Sequence, residues 1–379
     1  MKEERIVGRD PAKGQCVCIR LESGRIVSIE PAAENNDYWL SAGLIDLQVN
    51  GYAGHDFNGA DCTVESVLHI VNALLLTGVT CFAPTIITAS EAEITNSLRV
   101  IAEARRTHAH ATDSIPWVHV EGPHISPLDG YRGAHPQEHV RPPSLDEFDR
   151  WQQACGGLVG MVTMSPHFEN SERYIAGLVE RGVHVSLGHT HASSEQINRA
   201  ADAGARLSTH LGNGIAATLA RHPNPIWSQL ANDHLTTSFI ADGHHLPAET
   251  FKAMVNAKGI ERSFLVSDTV ALAGMPAGLY RTPVGGDVEL SADGRLSLRG
   301  STALAGATVP LTQCIGKAVG MTGRSLDEIL RMATEIPGRF VGDRGRLQIG
   351  GRGDLIRFRW TDAITVQDVW LNGRRIEGI

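Results

Sequence analysis

No Cys-x-x-Cys pair occurs among the six cysteines, Cys16, Cys18, Cys62, Cys81, Cys155 and Cys314, so neither a zinc ribbon nor a thioredoxin-type redox centre is supported. No run approaches the ~18 consecutive apolar residues of a membrane span. The leucine-rich stretch 67–76 is too short and is flanked as a helix would be. Positive charge is not in excess: 34 Lys and Arg stand against 42 Asp and Glu, a net −8, which argues against a nucleic-acid partner. Met1-Lys-Glu-Glu-Arg5 leads into no apolar run, so no signal peptide is visible. With unpaired thiols, the chain reads as a reduced, cytoplasmic protein. Internal repeats and low-complexity segments are absent as well.

What is present is alternation. Eight short apolar runs, 44–49, 79–83, 117–121, 158–163, 183–187, 206–210, 236–241 and 263–268, are separated by amphipathic stretches such as 63–76, 90–106, 144–154, 171–181, 193–203 and 248–257. Several stretches open on a capping pattern, as in Ser144-Leu-Asp-Glu147 and Ser193-Ser-Glu-Gln196. Strand–helix alternation implies a parallel sheet, and eight units imply a (β/α)8 TIM-like barrel. The rival is an open doubly wound sheet, weakened because no G-x-G-x-x-G follows the first strand. The ends of the chain differ. Runs 16–21 and 25–30 form a hairpin pattern around Glu22-Ser-Gly24, and 354–359 and 366–371 alternate before the turn Asn372-Gly373. Both termini are therefore expected to pair in a small β-sandwich, residues 1–43 plus 347–379, beside a catalytic barrel of residues 44–346. Residues 287–298 alternate around Ala292-Asp-Gly294 and read as an inserted hairpin.

Active sites of such barrels gather at the C-terminal ends of the strands. Here the third strand ends in Glu121, the fifth runs into His189, the sixth ends in His210 and the eighth in Asp268. Two imidazoles and a carboxylate suit a zinc-type ion with an open position for water, and a further carboxylate serves to move protons. Each residue alone has a bland alternative: a structural histidine, or, for Glu121 and Asp268, the N-cap of a following helix. Recurrence on four strands of one architecture favours a site. His210-Leu-Gly-Asn-Gly214 can present backbone N–H groups to an anion, with Arg221 following as a phosphate fork. An ordinary tight turn and a solvated arginine are the alternatives. Tyr131-Arg-Gly-Ala-His135 lies on a long loop after the third strand, and Asp242-Gly-His-His245 ends the seventh.

These segments, with Gly43–Gly51, His119-Val-Glu-Gly-Pro123, Ser186-Leu-Gly-His189, Ser267-Asp268, Gly345–Asp354 and Trp370-Leu-Asn-Gly373, resemble the N-acetylglucosamine-6-phosphate deacetylases of the amidohydrolase superfamily over nearly the whole chain. The resemblance implies one divalent ion held by Glu121, His189 and His210, zinc first, with iron, cobalt or manganese as alternatives. It implies Asp268 as general base and acid. Ala134, His135 and His245 would surround the sugar and acetyl group, with the loop Leu304-Ala305-Gly306 on the substrate side. Asn213, Gly214 and Arg221 would line the phosphate end, the arginine reaching across a homodimer interface. Gln48-Val-Asn50 stands where many superfamily members have His-x-His, and Met161-Val-Thr-Met-Ser165 lacks a bridging lysine. Amides are poor zinc ligands beside imidazole, so a single-metal site fits. Departures fall at Gly212, Gly214, Ile215, Ala216–Leu219, His191 and His244, where sugar and phosphate would lie. The expected activity is metal-dependent removal of the acetyl group from N-acetylglucosamine 6-phosphate or a close amino-sugar phosphate. Its rivals are hydrolysis of an unphosphorylated N-acyl sugar, another acylated amine or a cyclic amide, and, in another class, a non-catalytic sugar-phosphate sensor.

Overall fold

The computed structural model describes residues 4–34, 36–59, 62–282, 286–301 and 303–378. Its centre is a sheet of eight parallel strands paired in chain order: β1 Leu44–Val49, β2 Val79–Ile87, β3 Val118–Glu121, β4 Val159–Met164, β5 His184–Leu187, β6 Leu207–Ser208, β7 Thr236–Ile240 and β8 Ser263–Val266. The segment after β8 returns to β1. Asp268 N–H donates to the Gln48 carbonyl at 3.0 Å, Asn50 N–H donates to the Thr269 carbonyl at 2.8 Å, and Val49 bridges Thr269 in parallel. The ring therefore closes as the expected (β/α)8 barrel, and the open doubly wound sheet is set aside.

The strands are apolar on both faces because both faces are covered. Ile45, Leu47, Cys81, Met161, Leu207, Ile240, Phe264 and Val266 fill the inside. Leu44, Val79, Phe82, Val118 and Val120 face outward into the main core with the helices. The helices run Val64–Leu76, Glu91–Thr107, Leu145–Cys155, Ser171–Glu180, Ser194–Asp202, Pro225–Ala231, Ala248–Lys258 and Leu311–Thr322, with shorter ones between. Ser193 and Gln196 form the expected reciprocal cap. Ser144 caps Glu147 N–H, but the Glu147 carboxylate is drawn away by Arg141, whose Nε lies 3.0 Å from it. Lys258, fully buried, donates its ammonium to the carbonyls of Gln229 (2.9 Å), Leu230 (3.4 Å) and Asn232 (2.7 Å), closing the end of Pro225–Ala231.

Two strands depart from the sequence pattern. β2 continues past Pro84 to Ile87, because the proline sits at a register shift against β1 where no ladder N–H is needed. β6 keeps only Leu207–Ser208: His210 turns to φ 28° and its N–H goes to the Ser238 hydroxyl at 2.7 Å. The inserted hairpin is part of a larger unit, a four-stranded antiparallel sheet of Gly278–Thr282, Gly286–Leu290, Arg295–Leu298 and Leu304–Ala307.

The two ends of the chain meet in a seven-stranded sheet. Its strands are Glu4–Arg9, Cys16–Glu22, Arg25–Pro31 and Trp39–Ala42 from one end, and Leu355–Trp360, Ile364–Leu371 and Arg374–Arg375 from the other. Ile6, Ile19, Leu21, Ile26 and Leu40 share one core with Leu355 and Trp370. Trp370 Nε1 donates to Glu4 Oε1 at 2.8 Å.

Candidate active site

The C-terminal ends of β3, β5, β6 and β8 bring Glu121, His189, His210 and Asp268 to one buried place. The two caps considered for the carboxylates do not form. Gly122-Pro123 follows Glu121, and Thr269, after Asp268, bridges Val49 and Ala307. His189, His210 and Asp268 adopt φ of 48°, 28° and 53°. Left-handed backbone at a non-glycine residue is strained and persists only where its surroundings impose it. Here it turns each side chain off its strand and over the mouth of the barrel.

Ligand-type atoms of Glu121, His189 and His210 all lie within 4.8 Å of one another. His210 Nε2 is 3.0 Å and His189 Nε2 3.3 Å from Glu121 Oε1. Ligands about 2.1 Å from a tetrahedral ion stand roughly 3.4 Å apart, so the donor set and its spacing fit one small divalent ion. Surrounding bonds fix these three side chains. His189 Nδ1 faces the Tyr131 carbonyl at 2.9 Å; a carbonyl only accepts, so Nδ1 carries the proton and Nε2 is the free lone pair. Gln48 Nε2 donates to Glu121 Oε2 at 3.0 Å, leaving Oε1 turned toward the two imidazoles. A Cβ on Gly214 would stand 2.6 Å from His189 Nδ1, so the β6 loop packs on this imidazole only without a side chain there. Burial favours the neutral form of Glu121, but the contacts of its carboxylate with the His189 and His210 imidazoles outweigh it and hold the carboxyl well below its ordinary range.

Asp268 accepts from Asn50 Nδ2 at 2.8 Å. Burial pushes its carboxyl up to about 6, although His210 pulls the other way. His135 packs edge-on against His189 at 4.4 Å between ring centres. Burial, then the neighbouring His189, lowers His135 to about 3. Its Nδ1 accepts from Thr88, whose N–H lies at 3.4 Å and hydroxyl at 2.8 Å, so the neutral ring keeps its proton on Nε2, a hydrogen-bond donor. His245 Nδ1 donates to Asp242 Oδ2 at 2.7 Å, while Asp242 Oδ1 takes the N–H groups of His244 (2.8 Å) and His245 (2.9 Å). Beneath the mouth, His119, Thr163, Thr209 and Ser186 form a buried chain with contacts of 2.7, 2.7 and 2.6 Å. It ties β3, β4, β5 and the end of β6 below Glu121, His189 and His210.

A cavity of about 510 Å³ opens over these groups. Ala134, His135, Asn213, Gly214, His245, Leu304, Ala305 and Gly306 line it together with the four strand-end residues. Arg221 does not. It is exposed on the connection before Pro225–Ala231. Sequence reasoning missed Thr88, Asp242 and the carboxylate-holding role of Gln48 and Asn50. Of these only Asp242 left a local signal, an acid three residues before a histidine. His191 and His244 turn out to fasten loops. His191 Nδ1 meets the Ser126 hydroxyl at 2.6 Å, and His244 Nε2 reaches the Asp293 carbonyl at 3.2 Å in the inserted sheet.

The amidohydrolase family model matches residues 39–376. An N-acetylglucosamine-6-phosphate deacetylase of Bacillus subtilis (strain 168) is 31% identical over 84% of this chain and 80% of its own. An N-acetylgalactosamine-6-phosphate deacetylase of Escherichia coli O157:H7 is 30% identical over 94% and 93%. The crystal structure of N-acetyl-D-glucosamine-6-phosphate deacetylase from Mycobacterium smegmatis superposes with a TM-score of 0.85 at 28% identity, covering 95% of both chains. The chain thus belongs to the amidohydrolase family, with the amino-sugar-phosphate deacetylases as its relatives.

Proposed function

We propose that this protein hydrolyses the acetamide of an N-acetylated hexosamine 6-phosphate, N-acetylglucosamine 6-phosphate first. The observation that carries the reading is the convergence of two imidazole Nε2 atoms on one oxygen of Glu121, with Asp268 beside them at the floor of a cavity. Glu121, His189 and His210 would hold one divalent ion, zinc before iron, cobalt or manganese. Such an ion, when bound, supplies Lewis acidity to the acyl carbonyl and to the attacking water. Asp268 accepts the proton of that water through the oxygen not held by Asn50, then returns it to the nitrogen as the C–N bond breaks. His135, with its proton on Nε2, donates to an oxygen of the substrate, and His245, braced by Asp242, meets the sugar. Ala134 and Leu304-Ala305-Gly306 shape the walls.

The phosphate end is assigned to the Asn213-Gly214 turn and Arg221. Asn213 Nδ2 is buried with no partner among the described residues, a donor ready for an anion. Arg221, outside the cavity of its own chain, fits a homodimer in which it serves the partner's site. Six free cysteines agree with a reducing, cytoplasmic setting, and no helix among the described residues is long and apolar enough to cross a membrane. A second reading, action on the unphosphorylated sugar, rests on the same exposed position of Arg221. Acetate release from N-acetylglucosamine, N-acetylgalactosamine and their 6-phosphates by metal-loaded protein decides between them. Turnover of the phosphates is expected, and release from neither class would reject the deacetylase reading.

A further inference from the structure

Two of the imidazoles that line the cavity, His135 and His245, have opposite polarity. His135 accepts from Thr88 at Nδ1, so its Nε2 carries a proton. His245 gives its Nδ1 proton to Asp242 Oδ2 at 2.7 Å. Asp242 is buried. Burial would raise its carboxyl, but the bond to His245 and the amides of the turn hold it below its ordinary range. A carboxylate only accepts, so the proton of His245 is fixed on Nδ1. In the neutral ring Nε2 is then a bare lone pair. That atom has no partner among the described residues, and the ring edge away from Asp242 is the one that lines the cavity.

Asp242 does two things at the end of β7. Its Oδ1 takes the N–H groups of His244 and His245 at 2.8 and 2.9 Å, closing a turn about Gly243, whose φ is 74°. Its Oδ2 orients the ring. The turn is fastened from behind, where Lys317 Nζ, on the helix Leu311–Thr322, donates to the Asp242 carbonyl at 2.6 Å. The two N–H groups on Oδ1 make the roles separable by one substitution. An asparagine in this place keeps its oxygen on those N–H groups, which turns its NH₂ toward His245 Nδ1. The ring must then accept at Nδ1 and carry its proton on Nε2. The turn survives, and the polarity of the cavity edge reverses.

We infer that Asp242 is a positioning residue that sets His245 as a hydrogen-bond acceptor, so that this part of the cavity selects a sugar with a free hydroxyl beside it. The inference rests on the deacetylase reading above and names what His245 recognises there. A hydroxyl gives its proton to Nε2. A fluorine of nearly the same size has none to give and leaves the lone pair unmatched.

The test uses metal-loaded protein at about pH 8, where an ordinary imidazole is neutral. N-acetylglucosamine 6-phosphate is compared with analogues in which each remaining hydroxyl in turn is replaced by fluorine. Fluorine at one position is expected to lower kcat/KM about tenfold or more, chiefly through KM. Asp242→Asn should bind the natural sugar less well and narrow the hydroxyl-over-fluorine ratio at that position to about threefold or less, leaving the other positions as they were. Nitrogen NMR of histidine-labelled protein, assigned by the signals lost in His245→Gln, should show His245 protonated at Nδ1 in the wild type and at Nε2 in Asp242→Asn. The wild-type spectrum decides the orientation even where the variant fails to fold. A proton on Nε2 of the wild-type ring, or a fluorine penalty that Asp242→Asn leaves unchanged at every position, overturns this inference while deacetylation stands. Turnover of none of the sugars overturns the deacetylase reading instead, and with it the hydroxyl as the group that His245 meets.

Discussion

Asn50 gives its side-chain amide to the carboxylate of Asp268 at 2.8 Å. Two residues earlier, Gln48 does the same for Glu121 at 3.0 Å. A carboxylate only accepts, so both amides must turn their NH₂ groups inward. The pair that would have to be imidazoles for a second metal instead holds the carboxylates of Glu121 and Asp268 in place.

One ion per chain is therefore expected at full activity. Elemental analysis of protein loaded to maximal rate should give one equivalent of zinc, and two would show that Gln48 and Asn50 do not close off the second position. Removal by a chelator should abolish turnover and lower the Tm, since an ion at a hundred times its Kd stabilises the folded chain by about 2.7 kcal/mol.

Asp268→Asn should retain the ion and lose at least ~10²–10⁴-fold in kcat, because an amide cannot take the proton of water. Near-normal kcat with full metal content would reduce Asp268 to a partner of Asn50.

Arg221→Ala should impair use of the phosphosugar and leave the plain N-acetyl sugar nearly as before. Mixing Arg221→Ala chains with chains carrying Asp268→Asn should restore about a quarter of the activity if the arginine serves the neighbouring subunit. Equal loss on both sugars would take the phosphate out of the assignment.

Asp46 is wholly inside the barrel, accepting Ser267 N–H at 3.1 Å and Gln48 N–H at 3.3 Å. Burial, opposed by those bonds, pushes its carboxyl from 3.8 up to about 7. The folded protein then binds this proton more tightly than the unfolded one. The resulting stability is complete below about pH 4 and is lost as pH rises through 7. Asp46→Asn should flatten that slope. Urea unfolding at pH 5 and pH 8 measures it, and parallel profiles for wild type and variant would mean that Asp46 ionises inside the barrel without penalty.

Lys258→Met should cost about 3 kcal/mol, because it strands the buried carbonyls of Gln229 and Leu230 and the half-buried one of Asn232. A Tm within 1 °C of wild type would show that water replaces the ammonium.

The barrel was legible because each strand is a short apolar run and each key side chain is the polar residue that ends one; Glu121, His189, His210 and Asp268 needed no more than that. What held them was not. His189 is oriented by the carbonyl of Tyr131, and a backbone atom leaves no mark on a sequence. Thr88 lies 47 positions from the histidine it fixes and hides in an apolar run. The inserted sheet exceeded its expected hairpin because its outer strands, Gly278–Thr282 and Leu304–Ala307, are short and one is built of Leu, Ala and Gly. Their pairing comes from neighbouring strands, not from their own periodicity.

The bond between Trp370 and Glu4 joins residues 366 positions apart. During synthesis, the strands Glu4–Arg9, Cys16–Glu22 and Arg25–Pro31 emerge with the apolar faces of Ile6, Ile19 and Ile26 bare. They wait for the whole barrel to be translated before Leu355 and Trp370 arrive to cover them. Closing so long a span is entropically slow to begin but adds little with each further residue. The terminal sheet is thus the last part of the molecule to be completed, and the interval before its closure is when the nascent chain is most exposed to aggregation.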